Sequence, residues 1–381
     1  MADNDELFIG LLSGTSIDAI DTALLRIGNA GAELLDTLAV PMPADLRTEL
    51  LNICESETAA IDSIAGLDRR LGICLANAVL QLLARTQTPP HAVCAIGSHG
   101  QTIRHRPPRA GDAGFSWQIG DPHTIAELTG ICTVADFRRR DIAAGGQGAP
   151  LAPAFHHWAF SSAARDRIVL NIGGMANISV LRAASSTVFG FDTGPGNALL
   201  DAWYRRHHGG NYDHDGAWAR SGRVCPELLE RLLAHAYFAA PPPKSTGREE
   251  FNLCWLDSRL LAIEVVPQDV QATLTELTAS TIAEAIERQL PTDGEVFVCG
   301  GGIHNGLLME RLARRLQPRP VRSTTALGIA PDWVEAALFA WLARQTLHSL
   351  PGNLPSVTGA LHPVVLGSIH PGGRTSRSDR E

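Results

Sequence analysis

The chain has 381 residues, which at roughly 150 residues per domain means two or three domains, or one large fold built from two similar lobes. Apolar residues make up 45% and charged residues 19%, the profile of a packed globular chain and not of a disordered one. With 32 basic against 40 acidic residues the net charge is -8, so no global basic field draws nucleic acid or an anionic membrane.

The start of the chain, Met1 to Glu6, is acidic where a secretory leader is basic, and the apolar stretch 7–12 is too short for a leader core. No apolar run reaches the roughly 18 residues of a membrane span. Seven cysteines, odd in number and never paired as C-x-x-C, argue against a disulfide framework or a zinc ribbon. They read as reduced, buried thiols of a cytosolic protein, with Cys94 and Cys299 inside apolar strand-like runs and so in the core.

In chain order, hydrophobic spacing predicts strands over 7–12, 22–27 and 33–40, then helices over 44–54 and 58–86. A strand at 92–97, a helix at 121–129, a strand at 132–136 and a helix at 148–160 follow. Strands at 167–172, 176–182 and 188–192 precede helices at 197–208, 226–237 and 268–290. The series closes with a strand at 295–299 and helices at 303–316 and 331–347, an α/β alternation. Pro241 to Pro243 and Pro351 to Pro355 mark loops, Tyr212 to Gly216 reads as a turn, and the polar stretch 371–381 reads as a disordered tail.

One pattern occurs twice. Phe8 to Leu12 runs into the turn Ser13-Gly-Thr-Ser16 and a second strand, and Ile168 to Ile172 runs into Gly173-Gly174 and a second strand. Small residues at such turns let backbone amides approach an anion, and Ser or Thr hydroxyls add donors, so both suit a phosphate. Each is also open to a plain hairpin reading. Two such hairpins about 160 residues apart suggest two related lobes facing each other across a cleft. Beside the first turn stand Asp18 and Asp21, either of which suits Mg²⁺ held through water.

Asp192 ends the strand 188–192 before Thr193-Gly-Pro-Gly-Asn197, at the carboxyl end where open α/β sheets bind ligands. It suits a general base. The competing reading is a helix cap, for which Asn197 is better placed. Gly300-Gly-Gly302 follows a buried strand and offers a flat wall to a base or ribose. His99, Gln101 and Thr102 follow another strand, with a purely structural histidine as the alternative. Arg138, in Asp136-Phe-Arg-Arg-Arg-Asp141, reads as a holder of a substrate carboxylate or as part of a solvated face. Lys244 is the only lysine, either a point charge with a purpose or a survivor of compositional bias. P-loop, G-x-G-x-x-G, G-x-S-x-G and H-E-x-x-H signatures are all missing, which disfavours P-loop kinases, common dehydrogenases, α/β-hydrolases and zincins.

GLLSGTSIDAID, IGSHGQTIRH, ADFRRRDIAAGGQGAPL, GFDTGPGN and PKSTGRE stand in an order and spacing that resemble the anhydro-N-acetylmuramic acid kinase family, to about residue 370. The resemblance implies the acetate and sugar kinase, Hsp70 and actin superfold, α/β with two ribonuclease-H-like lobes closing over a central ATP and sugar cleft. It places lobe I at 1–165 with a returning segment 343–370, and lobe II at 166–342. It implies ATP- and Mg²⁺-dependent opening of the 1,6-anhydro bond of 1,6-anhydro-N-acetylmuramic acid with phosphorylation of O6, by a cytoplasmic homodimer of cell-wall recycling.

By the same resemblance Asp192 activates water. Gly14, Thr15, Ser16, Ile17, Asp18, Ala19, Ile20 and Asp21 form the first ATP phosphate loop, Gly173, Gly174 and Asn177 the second, and Gly300, Gly301 and Gly302 the adenosine wall. His99, Gln101, Thr102, Arg138 and Glu335 are the implied sugar contacts. The chain departs in having Ala19 where the family usually has Gly, which excludes a left-handed backbone there. The other readings are a non-catalytic sensor of ATP and muropeptide fragments, and a chaperone-like ATPase, for which no residues remain to build a peptide-binding domain.

Overall fold

A computed structural model describes residues 5–14, 16–29, 31–108, 111–183, 185, 187–290 and 293–373. The chain divides into two compact units, Met1–Ala159 with Trp333–Glu381, and Phe160–Asp332.

In the first unit, β1 (Glu6–Ser13), β2 (Ala19–Ile27) and β3 (Ala32–Pro41) form an antiparallel meander. β4 (Val93–Arg106) then pairs parallel to β1, β5 (Phe115–Ile119) folds back on the far half of β4, and β6 (Thr133–Ala135) extends the sheet parallel to β4. β1 is buried along Phe8 to Ser13, as a central strand covered on both faces must be. One face packs Ile9, Leu11 and Leu24 against Leu71, Leu75 and Val79 of the helix Ile61–Thr86.

The other face carries the helix Val334–Leu347, and glycine makes that approach possible. A Cβ on Gly10 would stand 1.7 Å from the Ala336 carbonyl oxygen, and one on Gly97 1.9 Å from that of Phe339. The return into the first unit therefore falls at 333 and not at 343, because this whole helix belongs to the first sheet.

In the second unit, β7 (Arg167–Ile172), β8 (Met175–Leu181) and β9 (Val188–Pro195) form the same meander, and β10 (Glu295–Cys299) and β11 (Val321–Ser323) continue it in parallel. The order β9-β8-β7-β10-β11 repeats β3-β2-β1-β4-β6 strand for strand, the ribonuclease-H-like arrangement, here present twice. Ile168, Leu170, Ile178, Val296 and Val298 pack against Ile282 and Ile286 of the helix Pro267–Gln289 and Leu308 and Leu312 of the helix Gly306–Leu316. β12 (Ser368–His370) closes the first unit's sheet antiparallel to β6.

The structure corrects several expectations. β5, β11 and β12 and the helix Leu253–Leu260 are additional. The expected helix 226–237 stops at Leu233 and restarts as a short turn at Ala236 under a His235 cap. Residues 374–381, most of the expected tail, lie outside the described residues. All seven cysteines are free, but Cys299 alone is buried; Cys54, Cys74, Cys132 and Cys225 are half-buried and Cys254 is exposed, against the expectation of buried thiols. Cys94 is exposed, because as the second residue of β4 it points to solvent between buried Val93 and Ala95. Among the described residues no helix is long and apolar enough to cross a membrane.

Candidate active site

The first hairpin turn is narrower than the sequence suggested. Ser13 ends β1 and β2 begins at Ala19, so Ala19, Ile20 and Asp21 already lie in the ladder, with Asp21 opposite Leu12 and Ala39. Ile17 and Ile20 bury their side chains in the core, which leaves only backbone for a ligand. Thr15 lies outside the described residues. Between them, Gly14 is open, since a Cβ there would meet nothing within 4 Å. Ser16 Oγ donates to Asp18 Oδ1 at 2.8 Å, and the left-handed residue of the turn is Ile17, at φ 51°. Ala19 is extended, so its methyl group conflicts with nothing. Asp18 is exposed and suits Mg²⁺, which keeps most of its waters and takes one or two carboxylates beside substrate phosphates. Asp21 is half-buried within the sheet and suits it less.

His99, Gln101 and Thr102 lie within β4 and not in a loop beyond it, at the irregular turn of backbone where Gly100 adopts φ +67°. His99 Nε2 accepts from Arg138 Nε at 3.1 Å and Nη2 at 3.0 Å. A guanidinium only donates, so the ring proton sits on Nδ1, facing the Gly100 oxygen at 3.2 Å. Burial and the Arg138 charge push His99 down to about 3, which keeps the imidazole neutral near pH 7. Arg138 itself falls to about 10 through burial and also donates to the Gly148 oxygen at 2.9 Å. Gln101 is buried, with its Oε1 unpartnered among the described residues, as are Ser13 Oγ and Ser98 Oγ. The Thr102 hydroxyl accepts from Gln118 Nε2 at 3.0 Å. Glu335, on the first turn of Val334–Leu347, is open to solvent but crowded by protein; lost hydration raises its carboxyl pKa and the Arg138 charge opposes the rise.

Asp141 was not singled out on the sequence. It is fully buried, and its carboxylate accepts from Gly148 N at 2.7 Å, Asn353 Nδ2 at 2.6 Å and Thr358 Oγ1 at 2.7 Å. Through Gly148 it fixes the carbonyl that holds Arg138.

In the second unit β9 continues past Asp192 to Pro195, so Asp192 stands within a strand and six residues before the helix Ala198–His208. A capping role is thereby excluded. Asn197 does not cap by its side chain either; its Nδ2 donates to the Ile172 oxygen at 3.3 Å and its N–H to the Gly173 oxygen at 2.9 Å. Asp192 is directly opposite Asn177 of β8, itself opposite Asn171 of β7, so three polar side chains cross one face of the sheet in a row. Asn171 is the addition; its polarity within the buried run Ile168 to Ile172 was the available signal.

Thr246 N donates to Asp192 Oδ2 at 3.0 Å, and Tyr237 Oη to the Asp192 backbone oxygen at 2.6 Å. Burial pushes the Asp192 carboxyl up to about 6; the Thr246 bond opposes the rise and the Glu249 charge adds to it. Lys244 Nζ donates to the Tyr237 oxygen at 3.0 Å, so the lone lysine braces this loop.

Gly173 and Gly174 form the β7–β8 turn, where an added Cβ meets nothing closer than 3.6 Å. The three later glycines differ. Gly300, half-buried, has φ +81° and lies under Asn171, Gly302 is buried against Ile172, and Gly301 alone of the three is exposed. The expected flat wall is thus one residue wide.

Two ribonuclease-H-like sheets, each with a small-residue hairpin turn, and a buried strand-borne carboxylate fit the class of two-lobed phosphotransferases. Residues 6–372 match the sequence profile of anhydro-N-acetylmuramic acid kinase. Proteins of that name from Saccharophagus degradans and Xylella fastidiosa are 51% and 52% identical, each over 96% of this chain and 98% and 96% of their own. A third, from Coxiella burnetii, is 50% identical over 96% of this chain and 97% of its own. The chain belongs to the anhydro-N-acetylmuramic acid kinase family; it is an ATP-using kinase and not a non-catalytic sensor.

Proposed function

We propose that the chain opens the 1,6-anhydro bond of 1,6-anhydro-N-acetylmuramic acid with water and phosphorylates O6 from ATP, giving N-acetylmuramic acid 6-phosphate and ADP. The observation that carries this reading is Asp192, a carboxylate raised to about 6 yet ionised at neutral pH, fixed by the Thr246 amide. Such a group takes a proton from water as the water oxygen bonds to the anomeric carbon. The bond from that carbon to O6 breaks with its electron pair on O6, which attacks the γ-phosphorus, and the bond to the departing ADP oxygen breaks. The chemistry asks mainly for alignment and charge neutralisation.

By resemblance, Gly14, Ser16, Ile17 and Asp18 and the Gly173-Gly174 turn are assigned to the phosphate oxygens and Gly301 with its neighbours to adenosine, while Asn177 lies opposite Asp192. Asp18, exposed beside the first turn, would hold Mg²⁺, which would supply charge neutralisation on the phosphates. His99, Gln101, Thr102, Arg138 and Glu335 are assigned to the sugar, where unpartnered Gln101 Oε1 is a ready acceptor. By resemblance the working form is a cytoplasmic homodimer of cell-wall recycling, which sedimentation and fractionation test.

Mass spectrometry of the product formed from Mg-ATP and the anhydro sugar decides the reaction. A product that gains both a phosphoryl group and a water, with one ADP per sugar, supports it. A phosphoryl gain without water makes the chain a plain sugar kinase and removes the role of Asp192.

A further inference from the structure

The loop that holds Asp192 also delivers a cation that no role above uses. Asp192 N donates to the Lys244 oxygen at 3.2 Å and Thr246 N returns to Asp192 Oδ2, so residues 244–246 are tied to β9 at two points. Beyond them, Phe251 is buried, its N–H bonds to the Gly247 oxygen at 3.1 Å, and Asn252 Nδ2 bonds to the Arg248 oxygen at 3.1 Å. Arg248 is thus anchored on both sides, two residues from the contact to the base.

Its side chain is exposed, and no hydrogen bond or ion pair engages the guanidinium among the described residues. It lies at the Gly173-Gly174 turn: a Cβ on Gly174 would stand 3.7 Å from Nη2 and 3.9 Å from Nε. The nearby carboxylate of Asp201 senses its charge without bonding to it. A planar five-donor cation beside an open glycine turn matches a tetrahedral oxyanion.

We propose that Arg248 is a catalytic residue that binds the γ-phosphoryl group during transfer and neutralises the charge that develops on it. This rests on the assignment of Gly173-Gly174 to phosphate. The sugar's lactyl carboxylate is a second oxyanion with the same chemistry; adjacency to the glycine turn favours the phosphoryl group.

Arg248→Ala and Arg248→Lys, each checked by thermal melting against the wild type, test this. For Arg248→Ala the expected loss of kcat is about 10³-fold, the scale of an arginine acting on a transferred phosphoryl group. Sugar affinity, measured calorimetrically without nucleotide, stays unchanged, added guanidinium restores part of the rate, and the acidic limb set by Asp192 stays where it was. Arg248→Lys keeps the charge but loses the fork and remains well below wild type. A kcat close to wild type in Arg248→Ala overturns the proposal, as does weakened sugar binding with kcat intact, which assigns the lactyl carboxylate instead. If the wild type forms no phosphorylated sugar, the substrate reading fails by itself, and basal ATP hydrolysis of the two variants, equal to wild type or reduced, decides Arg248 separately.

Discussion

If Asp192 is the proposed base, its protonation below about pH 6 disarms it, so kcat/KM is expected to fall as pH drops through that value, with a limb of unit slope. The sign follows from the role: the ionised form works, and burial has moved its loss upward toward neutrality. Asp192→Asn removes the limb and lowers kcat by about 10²–10⁴-fold, while an amide oxygen still accepts from Thr246 N and the melting temperature stays close to wild type. A limb that persists in the Asn variant, read from rates between pH 5 and pH 8, assigns the titration elsewhere. Asp192 stood out in the sequence as a carboxylate in an apolar strand-like run ahead of a glycine-rich turn; the structure places it inside β9, which runs on to Pro195. Its Thr246 partner is 54 residues away and Asn353 is 212 residues from Asp141; bonds between such distant positions leave no spacing to read.

Two glycines of the same strand and turn separate packing from ligand contact. Gly10→Ala drives a methyl group into the Ala336 carbonyl, so the helix Val334–Leu347 must lift from the sheet. Overpacking of this kind costs about 1–3 kcal/mol, seen as a lower urea midpoint. Gly14→Ala meets nothing within 4 Å, so its urea midpoint is unchanged while KM for ATP rises if phosphate approaches that turn. Unchanged stability in Gly10→Ala, or an unchanged KM in Gly14→Ala, counts against the respective argument. Asp141→Ala strands the donors of Gly148, Asn353 and Thr358 in the interior, a loss of about 1–3 kcal/mol and a matching drop in melting temperature. Long elements were readable from period because they bury one stripe or both faces. β11 and β12 have three residues each, too few for any period, and β5 leaves Phe115 and Trp117 exposed, against the usual pattern.

At the scale of the whole molecule, the unit Phe160–Asp332 is a continuous stretch with its own sheet and core, whereas the other unit needs both ends of the chain. Residues 160–332 expressed alone are expected to unfold cooperatively in urea, and residues 1–159 alone to aggregate, because without Val334–Leu347 the Gly10 and Gly97 face stands bare. A noncooperative transition in the 160–332 fragment would show that its core depends on the rest. The twofold repeat was visible in the paired hairpins. The point of return was not, since helix 334–347 has the same period whichever sheet it covers.

Lys244 gives the molecule a single ε-amine, and its Nζ donates to the carbonyls of Tyr237 and Phe238, beside the loop that also grips the strand bearing Asp192. Amine-directed reagents therefore have one internal target, and acylation there must wait for those two bonds to break. The rate of modification at this position becomes a clock for the release of the loop. It needs no engineered cysteine and no added probe site.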